Sequence, residues 1–324
     1  MPRTTSIVTV CRNRREHLLT TAPRVSAWPH HGEHLIVDWS SDEPLRREEL
    51  PGDPRIRLLR VEGERRWNLC RAYNFGLRQA SGDCLFKLDA DAWPERLEHP
   101  DGLAAGAGLC RFGSGPDGRL GQFLIDRPLL EAVGGFNEML WGYGFDDKDL
   151  KARLRAQGTE PQELPEAALG VIVHATDLRV GATAGRSSTL ERRRGQALKA
   201  ATSLANRVAS AHCPWHARAA ASRYIQTAPQ TWRADPAALP QPPEPVRREL
   251  DRLRRVVFWS RFLAIPELYV EWLPEKLLPG DADAAFPLAP WHRLYFHTIR
   301  RLTDLPVLLL AAFKGSLAGA RGRR

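Results

Sequence analysis

The chain has 324 residues, of which 43% are hydrophobic and 26% charged, which is ordinary for a folded protein and excludes a disordered or fibrous one. This length holds one large α/β domain and a smaller appendage. A net charge of +9, with 47 Lys and Arg against 38 Asp and Glu, points to polyanionic surroundings: nucleotide phosphates, nucleic acid or anionic lipid.

The N-terminus leads straight into a strand-like run without a signal-peptide core, and no run of about twenty apolar residues follows, so a cytoplasmic protein is expected. Short apolar runs at residues 6–10, 34–37, 56–61, 84–88, 109–112, 121–125 and 169–173 read as buried strands. Amphipathic stretches at 14–27 and 67–80 read as helices. The alternation predicts a mostly parallel sheet with helices on both faces, and ligands at the carboxyl ends of its strands. Residues 1–188 are expected to form this domain. Residues 189–324, rich in Arg and Ala, read as a helical region, with a Pro-rich linker near 234–245 (ADPAALPQPPEP) and a basic, aromatic tail suited to peripheral contact with a membrane. An ordinary helical subdomain with a frayed basic end is the alternative. Cys11, Cys70, Cys84, Cys110 and Cys213 show no CxxC spacing and are expected to be reduced.

Four segments carry chemistry. In FKLDADAWP (86–94) an apolar strand ends in Asp89 and Asp91, which extended backbone turns to one side, as a Mg²⁺ or Mn²⁺ diphosphate clamp requires; Asp-x-Asp is also common in turns. GGFNEMLWGYGFDDKDL (134–150) puts Trp141 and Tyr143 between glycines and then three acids at a helix start, where Asp146 or Asp147 could be the N-cap. The opening VTVCRNRREHL (8–18) places arginines at a strand-to-helix junction, suited to diphosphate oxygens or to plain solvation. His174, after an apolar run, could ligate the same metal or be structural.

In this order the segments resemble GT-A glycosyltransferases of family 2, especially those with a galactosyltransferase-type C-terminal half, such as β-1,4-galactosyltransferases and chondroitin-polymerase-like enzymes; the likeness covers about residues 5–185. RNRREHL (12–18) is similar to that group's RNRxEHL. IVDWSSD (36–42) is similar to VDDGSxD, WNLCRAYNFG (67–76) to the helix before the DxD strand, and GGFNEMLWGYGFDD (134–147) to GGF…WGWGxED. The resemblance implies a GT-A (nucleotide-diphospho-sugar transferase, Rossmann-like) fold. It also implies an inverting transferase that moves a Gal, GalNAc, GlcNAc, Glc or GlcA type sugar from a UDP-sugar to a carbohydrate or glycolipid acceptor, as in surface polysaccharide or glycoconjugate synthesis.

By the same resemblance Arg12, Arg14, Asp38, Asn68, Arg71 and Asp89 bind the nucleotide, and Asp91 with Asp89 and His174 hold Mn²⁺ or Mg²⁺. Asp147 is the general base. Asp146 stands beside it, and Gly121, Trp141, Gly142, Tyr143 and Asp146 line the sugar site. The chain departs from the pattern at Trp39, where an aspartate is usual, at Phe145, where a glycine is usual, and at Asp146, where a glutamate is usual. A catalytically silent carbohydrate-binding or scaffold relative is the alternative. A nucleic-acid-binding protein is not expected, because the basic residues are interleaved with acids and no such motif occurs.

Overall fold

A strand buried on both faces reads as an unbroken apolar run, and the seven-residue TSIVTVC is buried throughout. In the computed structural model this is β1 (Thr5–Cys11), at the centre of the sheet. The structure describes residues 3–64, 67–104, 108–140, 142, 144–173, 203, 206–207, 209–211, 213–219, 221–241 and 244. After β1 come α1 (Arg15–Ala27), β2 (Glu33–Trp39), β3 (Ile56–Glu62), α2 (Leu69–Gln79), β4 (Cys84–Lys87), β5 (Ala92–Pro94), α3 (Pro100–Leu103), β6 (Cys110–Phe112) and β7 (Phe123–Asp126). Then follow α4 (Arg127–Ala132), α5 (Asp146–Ala156), β8 (Gln162–Glu163), β9 (Leu169–Val171), β10 (Tyr224–Ala228) and β11 (Thr231–Ala234).

The main sheet has the order β10-β11-β3-β2-β1-β4-β7-β6-β8. Strands β11, β3, β2, β1 and β4 pair in parallel, and β7 runs antiparallel to both β4 and β6. Chain order reverses at β1, which has β2 on one side and β4 on the other, so the crevice for ligands opens beyond Cys11, Trp39 and Lys87. A second, two-stranded sheet pairs β5 with β9.

Side chains alternate between the two faces. Val8, Val10, Leu35, Val37 and Trp39 pack with Tyr73, Phe75 and Leu77 of α2, whereas Cys11 and Ile36 pack with Leu18 and Ala22 of α1. Helix α2 starts at Asn68, whose side chain accepts from the Arg71 amide at 2.9 Å. It lies close on the sheet because Gly76 has no Cβ; one there would meet Val8 Cγ1 at 2.6 Å.

Two expectations change. The helical region foreseen from residue 189 contributes β10 and β11 to the main sheet, so the sheet does not end at residue 188. Trp232 and Tyr224 from this hairpin pack on Phe75 with ring centroids 5.5 and 5.1 Å away. Apolar contact of this kind, rather than local propensity, makes the segment a sheet edge. The helix start is also different: neither Asp146 nor Asp147 is the N-cap of α5, because Phe145 takes that place with φ +73°. All five cysteines are free and buried.

Candidate active site

Asp89 follows β4 by two residues, and its carboxylate is held from three directions. Oδ1 accepts from Lys87 Nζ at 2.7 Å and from the Tyr73 hydroxyl at 2.6 Å. Oδ2 accepts from Gln122 Nε2 at 2.7 Å, and the Asp89 amide donates back to Gln122 Oε1 at 2.8 Å. Burial works to raise the Asp89 carboxyl, but the Lys87 charge and the bonds from Lys87, Tyr73 and Gln122 outweigh it and hold the group below its ordinary value. Asp91 is half-buried, and its carbonyl accepts from the Ile172 amide at 2.7 Å, so the β5–β9 pairing draws the end of β9 to the strand-end aspartates. His174 lies outside the described residues, as do Trp141 and Tyr143.

The loop from Gly134 is braced before it reaches its acids. Asn74 of α2 donates to the Phe136 carbonyl and to Glu138 Oε1, both at 2.9 Å, and accepts from the Phe136 amide at 2.8 Å. Glu138 also accepts from the Ser222 amide at 2.7 Å. Asn68 Nδ2 donates to the Leu140 carbonyl at 3.2 Å, which ties the start of α2 to the loop. Gly142 then takes φ +73°.

Of the three acids that follow, Asp149 is structural. It is buried, pairs with Arg153 at 2.7 Å and accepts from the Ser210 hydroxyl. Asp146 and Asp147 open α5, half-buried. Burial first, and then the like charge of Asp147, push Asp146 up to about 7; Lys87 opposes the rise and Asp89 adds to it. The two acids of α5 and the aspartate after β4 thus share one electrostatic neighbourhood with a lysine in it.

On the β1 side, Arg12 and Arg14 are half-buried just past the strand, with Arg14 before the first turn of α1. Asn13 and Asp42 tie the two neighbouring loops: Asn13 Nδ2 donates to Asp42 Oδ2 at 3.0 Å and the Asp42 amide donates to Asn13 Oδ1 at 2.9 Å. Asp38 accepts from Arg60 at 2.6 Å and from the Ser41 and Leu45 amides at 3.1 and 3.0 Å, so both its oxygens shape the loop after β2. Arg71 pairs with Glu64, which also accepts from the Tyr224 hydroxyl at 2.8 Å. Trp39 turns to the α2 face and packs 5.4 Å from Tyr224; an aspartate there would be buried in the aromatic cluster. Gly121 stands next to Lys87, with 3.6 Å between the ammonium and where its Cβ would be.

Sequence reading does not single out Lys87, Tyr73, Gln122, Arg60 or Glu64. A lysine between Phe86 and Leu88 in a buried run was a signal of an internal ion pair, and Tyr73 lies in the quoted helix segment; Gln122 carries no local sign.

The mostly parallel sheet and the acid groups at its carboxyl crevice accord with the GT-A resemblance that the sequence carries. Residues 6–100 match the model of glycosyl transferase family 2, and residues 118–176 match a model described as the N-terminal domain of galactosyltransferase. The chain thus carries glycosyltransferase segments of these two kinds. No curated protein matches it.

Among solved structures it is similar to a mutant Drosophila β1,4-galactosyltransferase 7 in complex with manganese, UDP-Gal and xylobiose. Identity there is 18%, coverage 59% of this chain and 79% of that one, and TM-score 0.39. The catalytic domain of the same Drosophila enzyme with xylobiose gives 15%, 72%, 92% and 0.43. A mannosyltransferase from Pyrobaculum calidifontis with GDP-Man and Mn²⁺ gives 16%, 98%, 88% and 0.48.

Proposed function

We propose that the chain transfers a sugar of Gal, GalNAc, GlcNAc, Glc or GlcA type from a UDP-sugar to a carbohydrate or glycolipid hydroxyl, with inversion at the anomeric carbon and with one Mn²⁺ or Mg²⁺. The observation that carries this reading is the closeness of two acid groups of different character. Asp89 is held below its ordinary value just past β4, and Asp146, pushed up to about 7, feels the charges of Asp147, Lys87 and Asp89. Manganese and UDP-Gal in the galactosyltransferase complex, and Mn²⁺ in the mannosyltransferase complex, are in keeping with it.

The donor set fits a hard divalent ion. Asp89 and Asp91 supply carboxylate oxygens two residues apart, and such ions fill their remaining positions with water and substrate phosphate. No cluster of three His, Cys, Asp or Glu that could hold a metal occurs among the described residues; the third ligand is assigned to His174, which lies outside them, by the family resemblance. A bound divalent ion would supply Lewis-acid stabilisation of the departing diphosphate.

The chain's own residues do the rest. Asp91 and His174 are the ligands, and Asp89 supports them. Arg12 and Arg14 pair with diphosphate oxygens, as forked guanidinium groups do. Asp147 takes the proton of the attacking hydroxyl, which makes the oxygen a better nucleophile as the leaving group departs. Asp146 hydrogen-bonds a sugar hydroxyl, and Gly121, Trp141, Gly142 and Tyr143 wall the sugar subsite. Attack from the side opposite the diphosphate gives a β-linked product from an α-linked donor. Asn68, Arg71 and Asp38 are assigned to the nucleotide by the same resemblance, and their own hydrogen bonds hold the loops that flank it. A cytoplasmic location, with the basic tail at the inner face of a membrane, belongs to the same proposal.

Release of UDP from a panel of UDP-sugars, with Mn²⁺ and with acceptor oligosaccharides, tests the reading. Asp147→Asn is expected to abolish transfer while UDP affinity stays within about threefold of wild type, since the base touches the acceptor and not the nucleotide. Asp91→Ala is expected to remove the Mn²⁺ dependence of UDP binding. Wild-type turnover in Asp147→Asn would sink the assignment of the base, and a wild-type Mn²⁺ response in Asp91→Ala would reject the clamp.

A further inference from the structure

Lys87 brings a positive charge into a place where the transfer chemistry gives it no part. It is 1% exposed. Its ammonium lies 2.7 Å from Asp89 Oδ1 and 4.6 Å from the centre of the Tyr73 ring. An ammonium buried this deeply persists only when paired, and the pairing here is to an aspartate at the mouth of the site rather than to one in the core.

The pairing changes what Asp89 can offer. A carboxylate has about four acceptor positions. Lys87 and Tyr73 fill two on Oδ1, and Gln122 fills one on Oδ2. Gln122 cannot swing away, because it is wholly buried and its amide also donates to the Gly118 carbonyl at 3.0 Å. One acceptor position of Asp89 is therefore left for a ligand, and its charge is already matched. The charge of Lys87 is also felt at Asp146, across the site.

We infer that Lys87 is a positioning residue that makes divalent-ion binding depend on the nucleotide: its fixed charge lowers the affinity of the bare site for a cation and raises it for the diphosphate. The inference rests on the sugar-transfer reading above. Before the donor arrives, the ammonium offsets one of the carboxylates that would attract Mn²⁺. When the diphosphate enters, it brings negative charge that Lys87 favours and that the ion then bridges. A role confined to packing would not produce effects of opposite sign on a cation and an anion.

The test measures Mn²⁺ alone by electron paramagnetic resonance, and UDP without metal by calorimetry, on the full chain and on two variants. Lys87→Met is expected to bind Mn²⁺ alone about tenfold more tightly and metal-free UDP about fivefold more weakly, because a unit charge a few ångströms away is strongly felt at the effective dielectric of a protein site. Lys87→Gln, which keeps a donor for Asp89 but not the charge, serves if Lys87→Met does not fold, and it is expected to shift both affinities in the same directions. Unchanged or weaker Mn²⁺ binding, or wild-type metal-free UDP affinity, in a folded variant that lacks the Lys87 charge overturns the inference and leaves the transfer reading standing. Should the wild-type chain bind no UDP, with or without Mn²⁺, the transfer reading fails and the inference goes with it.

Discussion

Asp146 keeps its proton to about pH 7, where most carboxyls have long been ionised. Burial is the first cause and the like charge of the neighbouring Asp147 the second. Below about 7 the pair carries one negative charge fewer and is a poorer proton acceptor. Transfer is therefore expected to rise with pH through about 7 and to level above it, and Asp146→Asn should lose this limb; kcat/KM across pH 5.5–9 checks it. The aspartates themselves are readable in the sequence as a motif: Asp89 and Asp91 flank one small residue after an apolar run, although residues 89–92 fold as a turn rather than as extended strand, and 146 and 147 open a helix after glycines. Lys87 and Gln122 are not readable in the same way. Their partner is Asp89, and Gln122 reaches it from a segment 33 residues on, a contact that no local period encodes.

At the scale of elements, α5 begins on a strained residue. Phe145 sits in the left-handed region, which costs a side chain with a Cβ about 1–2 kcal/mol and costs glycine nothing. Its ring is nonetheless buried, with the Arg207 guanidinium 6.0 Å from the ring centre. Ring packing thus holds a backbone turn that the family pattern fills with glycine. Removing the ring should destabilise the chain in both Phe145→Ala and Phe145→Gly, but Ala keeps the strain and Gly releases it. Phe145→Ala is therefore expected to be the less stable of the two by about 1 kcal/mol, although Gly is the smaller residue; paired thermal unfolding curves decide it. The same scale explains what the sequence reveals of the fold. Strands β1, β2 and β3 and helix α2 are plain because buried parallel strands are continuous apolar runs and α2 has one apolar face. Strands β5 and β8 are three and two residues long, too short for any period. In β10 four of five residues are exposed, and the hairpin lies in a stretch whose Arg and Ala content reads as helix.

For the whole molecule, the amino end of the sheet sets the response to acid. His34 is wholly buried, its Nε2 is 3.1 Å from the Thr9 hydroxyl, and its Nδ1 has no hydrogen-bond partner among the described residues. Burial, with His31 adding, pushes it from the ordinary 6.5 down to about 3. The fold keeps this ring neutral while the unfolded chain takes up a proton below about 6.5, so acid favours unfolding. Stability is expected to be full above 6.5 and to fall as pH drops toward 3. In His34→Gln, which cannot gain the proton, the fall between pH 6.5 and 4 should be shallower; denaturant midpoints at a series of pH values show whether it is. At the far edge, β11 adds to β3 and the rings of Tyr224 and Trp232 close over Phe75, with Tyr224 also against Trp39. Anyone shortening this protein for expression meets that hairpin first. A fragment stopped at residue 188 would bare the rings of Phe75 and Trp39 and leave the β3 edge open to pair with a second molecule, so a soluble catalytic fragment has to run past Ala234.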